Sequence, residues 1–392
     1  MLVRMKPIER LRTAVSGGVP DRVPVVPKIF VDSAAQLTGT SLIDVIEQPL
    51  VALRVIFDVG LDTGVDAIRQ FHFPPRKTVR EGDNVFEVDG TGRRIGPIDM
   101  SGGLTTALLD PSDLRLEDTY RMAYVQFWKS GEPFVPALDD VRRMSIPGRK
   151  FYEAIGCGDR QREVLRLAGD RIAVIGDCIS GTLTWCVYFR GYERSLFDLV
   201  EQPALVHALM EKGVEYATER GKFNIDMGLK VLRLNDSVAN MSVISPRHWR
   251  EFIFPHMKEI CTELHRYDPD VLVYCHICGN VLPILDDLVD TGLDCIGPLD
   301  PLGHFTARRA REVVGNRAAL MGGVNTLSFL AEDPAVVMEE ARACIQGAGE
   351  HGGYVLGSGC MIPPGSRREN LRALTIAAAR YGTYETASSA LK

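Results

Sequence analysis

Short apolar runs alternate with longer helix-like segments along most of the chain. The runs are rich in β-branched residues, a pattern typical of buried strands. They occupy residues 23–27, 65–71, 171–177, 230–236, 271–274, 293–297, 318–323 and 353–356. About eight strands that alternate with helices predict a parallel α/β protein, either a doubly wound sheet or a (β/α)8 TIM barrel. No GxGxxG follows the first run, which weighs against a dinucleotide-binding sheet.

A histidine and two cysteines follow two of these runs. His276 and Cys278 come at the end of the fifth strand, and Cys360 follows the eighth. One imidazole and two thiols suit Zn²⁺, and three protein ligands leave a fourth position open for chemistry. The alternative is that these are ordinary buried cysteines and a hydrogen-bonded histidine. An open sheet would hold the two strand ends apart, whereas a closed barrel brings them to one mouth, so a shared site favours the barrel.

Composition excludes several classes of protein. The chain has 392 residues, 45% of them hydrophobic and 24% charged, which is typical of a globular protein. A net charge of -6 without a basic stripe gives no reason to expect nucleic-acid binding. No apolar run approaches the roughly 18 residues of a membrane span. Nine cysteines without small-domain spacing, and an N-terminus without the apolar core of a signal peptide, predict a cytoplasmic protein.

Residues 72–150 interrupt the strand–helix alternation. In residues 78–90, apolar and polar side chains alternate and a turn follows, as in a β-hairpin. The rest of the insertion is rich in proline, glycine and charged residues. We expect a single barrel domain over residues 1–392, with this long insertion after the second strand forming an excursion over the barrel mouth. Such insertions usually carry specificity. Phe127 and Trp128 could stack on an aromatic methyl ether, and packing in the core is the alternative role for each.

The chain resembles the uroporphyrinogen decarboxylase superfamily and, within it, the zinc-dependent corrinoid methyltransferases. These include the methylcobamide:coenzyme M methyltransferases and the corrinoid enzymes of O-demethylation. The stretches that carry the resemblance are residues 9–10 and 20–25, Ser245-Pro246, His276-Ile277-Cys278-Gly279-Asn280, Gly322-Gly323-Val324-Asn325, residues 359–364 and Glu369-Asn370. The resemblance covers nearly the whole chain and is weakest over residues 72–150. It implies a TIM barrel with zinc bound by His276, Cys278 and Cys360.

Two departures from the family pattern bear on the substrate. The decarboxylases carry an arginine-rich RQAGR-type stretch near the N-terminus, and the corresponding residues 26–31 lack it. The resemblance therefore does not imply decarboxylation of a large tetrapyrrole. After Cys360, residues 365–368 read Gly-Ser-Arg-Arg where many relatives have Thr-Pro, which leaves the zinc ligands intact.

Three further polar residues are predicted at the same mouth because they follow other strands. Asp177 and Asp236 could hydrogen-bond His276 or take the fourth zinc position before substrate arrives. The alternative for both is a helix-capping or loop carboxylate. Asn325, after the seventh strand, is a candidate cofactor-binding residue by the same argument.

The resemblance implies methyl transfer between a small methyl donor or thiol acceptor and the cobalt of a corrinoid. The DxHxxG stretch of a base-off cobalamin module is absent, so the corrinoid would come from a separate corrinoid protein. An open zinc site could lower the pKa of a thiol or act as a Lewis acid, and the motif leaves the direction of transfer open. A homodimer is a compatible assembly. Two alternatives are a metal-free decarboxylase, with anion binding by Arg69, Arg76, Arg93 and Arg94, and a non-catalytic zinc-binding partner of a corrinoid protein.

Overall fold

The computed structural model describes residues 5–69, 77–88, 92, 94–98, 133–154, 156–177 and 180–384. A curled parallel sheet of seven strands forms its centre. In the order in which they pair, the strands are β1 (Ala67–Arg69), β5 (Ala173–Asp177), β6 (Val231–Asn235), β7 (Leu272–His276), β8 (Cys295–Leu299), β9 (Ala319–Val324) and β10 (Tyr354–Ser358). Each lies within or next to a predicted run, which confirms the predicted alternation.

Residues 23–28 close this sheet into a barrel. The amide of Val26 donates to the carbonyl of Leu356 in β10 over 2.7 Å, and the carbonyl of Val25 accepts from Asp66, beside β1, over 2.8 Å. Pro24 and Pro27 have no N–H, so this predicted first strand pairs through isolated bridges at Val25 and Lys28 instead of a continuous ladder. The predicted TIM barrel is confirmed, and residues 23–28 form its closing segment in the place of an eighth strand.

Two features fix the position of the closing segment, residues 23–28. The carboxylate of Asp66 accepts from the amide of Val25 over 2.7 Å and forms ion pairs with Arg10 and Arg22, at 2.6 and 2.7 Å. On the other side, a Cβ at position 357 would lie 2.5 Å from the carbonyl oxygen of Val26. Glycine is therefore required where β10 meets the closing segment.

Apolar side chains from alternate strand positions fill the barrel interior. The buried cluster is formed by Val26, Ala67, Ala173, Ile175, Val231, Tyr274, Cys295, Ala319, Met321 and Val355. Helix α1 (Pro7–Val15) adds Leu11, Ala14 and Val15 to the same cluster. The interior below the mouth is therefore a packed core, as in other barrels of this class.

Helices surround the sheet. Their bounds are Val31–Thr38, Leu42–Glu47, Pro49–Thr63, Leu138–Arg143, Arg149–Ala154, Cys157–Ala168, Leu183–Arg190, Tyr192–Glu201, Pro203–Asp226, Pro246–His248, Phe254–Tyr267, Leu285–Asp290, Ala307–Val314, Ala335–Ala348 and Arg368–Tyr381. The described residues also contain a π-helical segment, Trp249–Ile253, and 3-10 turns at Leu282–Ile284, Pro301–Gly303 and Thr326–Leu330. None of the helices in the described ranges is long and apolar enough to cross a membrane.

The predicted helix over residues 41–60 begins where expected but is divided. The hydroxyl of Ser41 accepts from the amide of Ile43, as predicted for its N-cap. Pro49 then starts a second helix, because proline is tolerated in a first turn and disrupts a helix interior. The sequence did not predict Val31–Thr38 as a helix.

The excursion contains a second, antiparallel sheet. Strands β2 (Lys77–Glu81) and β3 (Asn84–Val88) form the predicted hairpin, and β4 (Arg94–Ile98) extends it. The amide of Thr78 donates to Glu47 over 3.0 Å, which ties this sheet to the helix Leu42–Glu47. Phe127 and Trp128, which could stack on an aromatic methyl ether, lie outside the described residues. The role of the excursion in covering the mouth stays a prediction.

Candidate metal centre

A polar layer lies directly above the apolar interior of the barrel. Side chains two residues apart on a strand point to the same face. The residues two positions beyond the interior positions Ala67, Ile175, Val231 and Tyr274 are Arg69, Asp177, Arg233 and His276. All four are buried, with His276 at 0% exposure. Arg69, Asp177 and His276 are the last residues of their strands, and Arg233 lies two residues before the end of β6. Barrels of this kind carry their active sites at the carboxyl ends of the strands.

His276 is the centre of this layer. Its Nδ1 lies 3.1 Å from the Tyr274 hydroxyl and 3.5 Å from the Arg69 guanidinium. Its Nε2 faces the other way, 3.1 Å from Nζ of Lys28 and 3.9 Å from Sγ of Cys360. Tyr274 thus holds one ring nitrogen and leaves the other directed at the cysteines.

Cys278 and Cys360 complete a cluster with His276. The three ligand atoms lie within 4.8 Å of one another. Cys278 lies two residues after the end of β7. It precedes a turn at Gly279, whose φ of +87° favours glycine. Cys360 follows β10. Strands β7 and β10 are not neighbours in the sheet, so barrel closure brings these residues together.

The pKa shifts of the cluster favour the metal-binding form at His276 and Cys360 and oppose it at Cys278. Burial, with the charges of Lys28, Arg69 and Arg233, lowers the pKa of His276 well below its usual value and keeps the imidazole neutral. A hydrogen bond from Cys278, and the Lys28 charge, lower the pKa of Cys360 against the effect of burial. The same hydrogen bond, with burial, raises the pKa of Cys278. Neutral imidazole and thiolate are the forms that bind metals.

Backbone hydrogen bonds fix the two loops that carry the cysteines. Asp300, just after β8, accepts from the amide of Gly279 over 2.9 Å and from Leu302 over 3.0 Å. The hydroxyl of Ser358 accepts from the amide of Lys28 over 2.9 Å and donates to the carbonyl of Cys360 over 2.5 Å. Both loops are therefore held by buried polar side chains at the mouth.

Asp236 lies near the centre but has its own partners. Its carboxylate accepts from the hydroxyls of Thr182 and Thr184 and from the amides of Leu183 and Thr184. These contacts hold the start of the helix Leu183–Arg190, as the helix-capping alternative expects. Its predicted roles as a partner of His276 or a fourth zinc ligand stay predictions.

Asp177 and Asn325 also occupy the mouth. Asp177 pairs with Arg233 over 3.0 Å within the polar layer. The side chain of Asn325 accepts from the amide of Leu327 over 3.0 Å, and its own amide donates to Glu340. Asn325 therefore caps the 3-10 turn Thr326–Leu330, and cofactor binding by this residue stays a prediction.

Sequence reasoning missed three neighbours of His276. Tyr274 could have been found, because it lies two residues before His276 and so shares its face of the strand. Arg69 was considered only within an arginine cluster of the excursion, yet it ends β1 at the centre. Arg94 of that cluster instead pairs with Glu81 on the surface, and Arg76 and Arg93 lie outside the described residues. Nothing in the local pattern marks Lys28.

The donor set fits a zinc ion. Zinc with nitrogen and sulfur ligands at about 2.0 and 2.3 Å is tetrahedral, which places those ligands about 3.5–3.8 Å apart. The Nε2–Sγ distance between His276 and Cys360 is 3.9 Å. Softer sulfur ligands with one imidazole also match the preference of zinc over Mg²⁺ or Ca²⁺. His276, Cys278 and Cys360 could therefore hold one ion with one position open.

Known proteins with similar sequences include two methyltransferases. The chain is 26% identical over 210 residues to the methylated-thiol–coenzyme M methyltransferase of Methanosarcina mazei, which covers 53% of this chain and 54% of that protein. It is 28% identical over 248 residues to the methylcobamide:CoM methyltransferase MtaA of Methanosarcina barkeri, covering 63% of this chain and 67% of the relative. The chain thus spans about half the length of the first of these relatives.

The fold has a solved counterpart. A methyltransferase from Methanosarcina mazei superposes with a TM-score of 0.69 at 19% identity, over 96% of this chain and 99% of that one. At the level of sequence, the family model described as uroporphyrinogen decarboxylase (URO-D) matches residues 128–381, more than half of the chain. This chain is a member of the uroporphyrinogen decarboxylase (URO-D) family.

Proposed function

We propose that this chain is a zinc-dependent methyltransferase that moves a methyl group between a small molecule and the cobalt of a separate corrinoid protein. The observation that carries the proposal is the His276, Cys278 and Cys360 cluster, whose ligand atoms lie within 4.8 Å at the barrel mouth. The names of the two curated relatives support methyl transfer, and one of them names a cobamide.

A bound zinc ion would supply Lewis acidity, which lowers the pKa of a thiol or weakens the bond from a methyl group to oxygen. The residues around it have separate tasks. Tyr274 fixes the orientation of the His276 ring by its contact with Nδ1. The Lys28 amine lies 3.1 Å from Nε2, and burial lowers its pKa. In its charged form it favours the thiolate forms of the cysteines and a negatively charged ligand.

The excursion and the loops of the mouth would select the small molecule, and the corrinoid protein would approach the same mouth. Methyl transfer in either direction fits this arrangement. For a thiol acceptor, the thiolate is the nucleophile toward the methyl group on cobalt. For an ether donor, the oxygen leaves with the electron pair of its bond to the methyl group.

The test begins with elemental analysis of the purified protein, and we expect about one zinc per chain. Formation or consumption of methylcobalamin is then followed spectrophotometrically with phenyl methyl ethers, methylamines and thiols. Zinc with turnover supports the proposal. Turnover without any metal contradicts the mechanism and favours a metal-free enzyme, and zinc without turnover across the panel favours a non-catalytic partner. Loss of helical signal on chelation would make the zinc structural.

A further inference from the structure

Two of the described cysteines differ from the rest in their exposure. Cys278 and Cys360 are partly exposed at the barrel mouth, whereas the other six that the structure describes are buried. Those six are Cys157, Cys186, Cys261, Cys275, Cys295 and Cys344. Oxidants in solution react with thiols that are accessible and have thiolate character, and buried structural cysteines are inert. Among the described thiols, an oxidant therefore meets this pair first.

The two accessible thiols are also neighbours. Their sulfur atoms lie within 4.8 Å of each other and form a hydrogen bond. A disulfide has a sulfur–sulfur bond of about 2.05 Å, so the sulfurs have to approach each other by less than about 2.8 Å. Cys278 and Cys360 follow the ends of β7 and β10 and lie in loops. A change of side-chain rotamer therefore moves one sulfur toward the other without breaking a strand pairing.

Metal binding and oxidation use the same electron pairs of these sulfurs. A thiolate is both the form that binds a metal and the form that attacks an oxidant. When Cys278 and Cys360 are zinc ligands, their electron pairs are engaged, and the sulfurs of a disulfide have no negative charge to offer a metal. Metal binding and disulfide formation by this pair therefore exclude each other.

We propose that Cys278 and Cys360 form a site of reversible oxidation, in which the two residues join as a disulfide when no metal ion is bound to them. The inference rests on the proposed function only for the identity of the protecting metal. The disulfide links the loop after β7 to the loop after β10, and His276 then lacks both of its partner ligands. The redox state of this pair thus decides whether the metal centre can assemble.

Hydrogen peroxide supplies a balanced route to the disulfide. The thiolate of one cysteine attacks a peroxide oxygen, the oxygen–oxygen bond breaks, and the departing hydroxide takes up a proton to become water. The thiolate of the other cysteine attacks the resulting sulfenic acid, and the sulfur–sulfur bond forms as the sulfur–oxygen bond breaks. The oxygen takes up a proton and leaves as a second water. Two thiols lose two electrons, and one peroxide gains them. A dithiol reverses the oxidation by thiol–disulfide exchange.

Peptide mapping of the metal-free protein tests this inference. Zinc is removed with a chelator, and circular dichroism checks that the protein stays folded. After hydrogen peroxide is added, we expect the loss of two thiols per chain and a cross-link that tandem mass spectrometry assigns to Cys278 and Cys360. Protein loaded with zinc should retain both thiols over the same time. Dithiothreitol should restore both thiols and the capacity to bind zinc, measured by elemental analysis.

Single variants assign the two sulfurs. Cys278→Ala and Cys360→Ala each leave one thiol of the pair, so we expect no cross-link and a sulfenic acid that dimedone traps. Cys157→Ala is the control, because it removes a buried cysteine outside the cluster, and it should form the same cross-link as the wild type. If a variant of the pair does not fold, the peptide map of the wild type still decides.

A folded, metal-free wild type that shows no cross-link, or one that joins other cysteines, overturns the inference. Oxidation of either thiol to sulfinic acid without a disulfide overturns it as well. Unfolding on removal of zinc has the same consequence, because a disulfide set by this geometry needs a folded mouth. A cross-link in a protein that neither binds zinc nor transfers a methyl group would retain the oxidation site and reject the proposed function. Zinc binding and methyl transfer without a cross-link would reject the oxidation site alone.

Discussion

Single side chains at the barrel mouth provide the sharpest test of the metal centre. Cys360 is not part of the apolar interior cluster, and it lies on a loop after β10. We expect Cys360→Ala to lose most of the zinc and all activity while the thermal unfolding curve stays close to that of the wild type. Elemental analysis and circular dichroism measure the two quantities.

Cys157→Ala is the matched control, because Cys157 begins the helix Cys157–Ala168 and is not one of the three clustered ligands. It should keep its zinc. A Cys360→Ala protein with full zinc content would remove this residue from the ligand set.

Replacement of the two mouth carboxylates by asparagine tests whether either one supports the metal centre. If Asp177 or Asp236 supports His276 when zinc is bound, its replacement should weaken zinc binding roughly 10–100-fold. Asp236→Asn should also destabilise the fold by about 1–2 kcal/mol, because an amide presents an N–H group toward donors of a helix start. Competition with a chromophoric chelator measures the zinc affinity, and urea unfolding measures the stability of the fold. Unchanged zinc affinity in both variants would leave each with the local role seen in its hydrogen bonds.

At the scale of the element, the sequence predicted the positions of the strands better than it predicted the polar side chains that meet at the barrel mouth. Apolar β-branched runs predict buried strands because both faces of a parallel barrel strand are covered. Side chains two residues apart on a strand share a face, and this rule would have predicted the polar layer. Arg69, Arg233 and His276 each follow an interior residue by two positions. The sequence could not show that Lys28 meets His276, because that contact depends on barrel closure across 248 residues.

The excursion is the element we expect to control the choice of substrate. Its described part, strands β2 to β4, forms a sheet separate from the barrel. Replacing residues 79–86 with a short turn should change which methyl donors or acceptors are used while the zinc content stays constant, since the metal ligands lie on other elements. The substrate panel and elemental analysis are the measurements. An unchanged substrate profile would assign this sheet to structure or to self-association.

At the scale of the whole molecule, stability depends on an ion-pair network that joins the N-terminal segment to the barrel. Arg10 pairs with Asp21 and Asp66 at 2.6 Å, and Arg10 and Asp66 are both buried. We expect Arg10→Met to cost about 3 kcal/mol, the lower end for breaking a buried pair, because Arg22 still neutralises Asp66. Urea unfolding at neutral pH measures this. The exposed pair of Lys6 and Asp170 gives the control, and Lys6→Met should match the wild type.

The same network predicts a dependence on pH. Burial alone would raise the pKa of Asp21, but its hydrogen bonds and charge pairing with Arg10 outweigh burial and lower it. A lowered pKa stabilises the folded state above the unfolded value of about 3.9, and that stability is lost as the pH falls through the folded value. The wild type should therefore lose this contribution below about pH 4. Arg10→Met should show a smaller loss over that range, and an equal loss would exclude Asp21 as its source.

Closure of the barrel by residues 23–28 also decides when the site can exist during synthesis. Lys28 belongs to this closing segment near the N-terminus, His276 ends strand β7 and Cys360 follows strand β10. Contacts over such distances form late because the intervening chain must be ordered first. A nascent chain on the ribosome has its imidazole and first thiol well before the second thiol emerges. If zinc binds here as proposed, its loading would report that the strand carrying His276 and the loop carrying Cys360 have come together in a closed barrel.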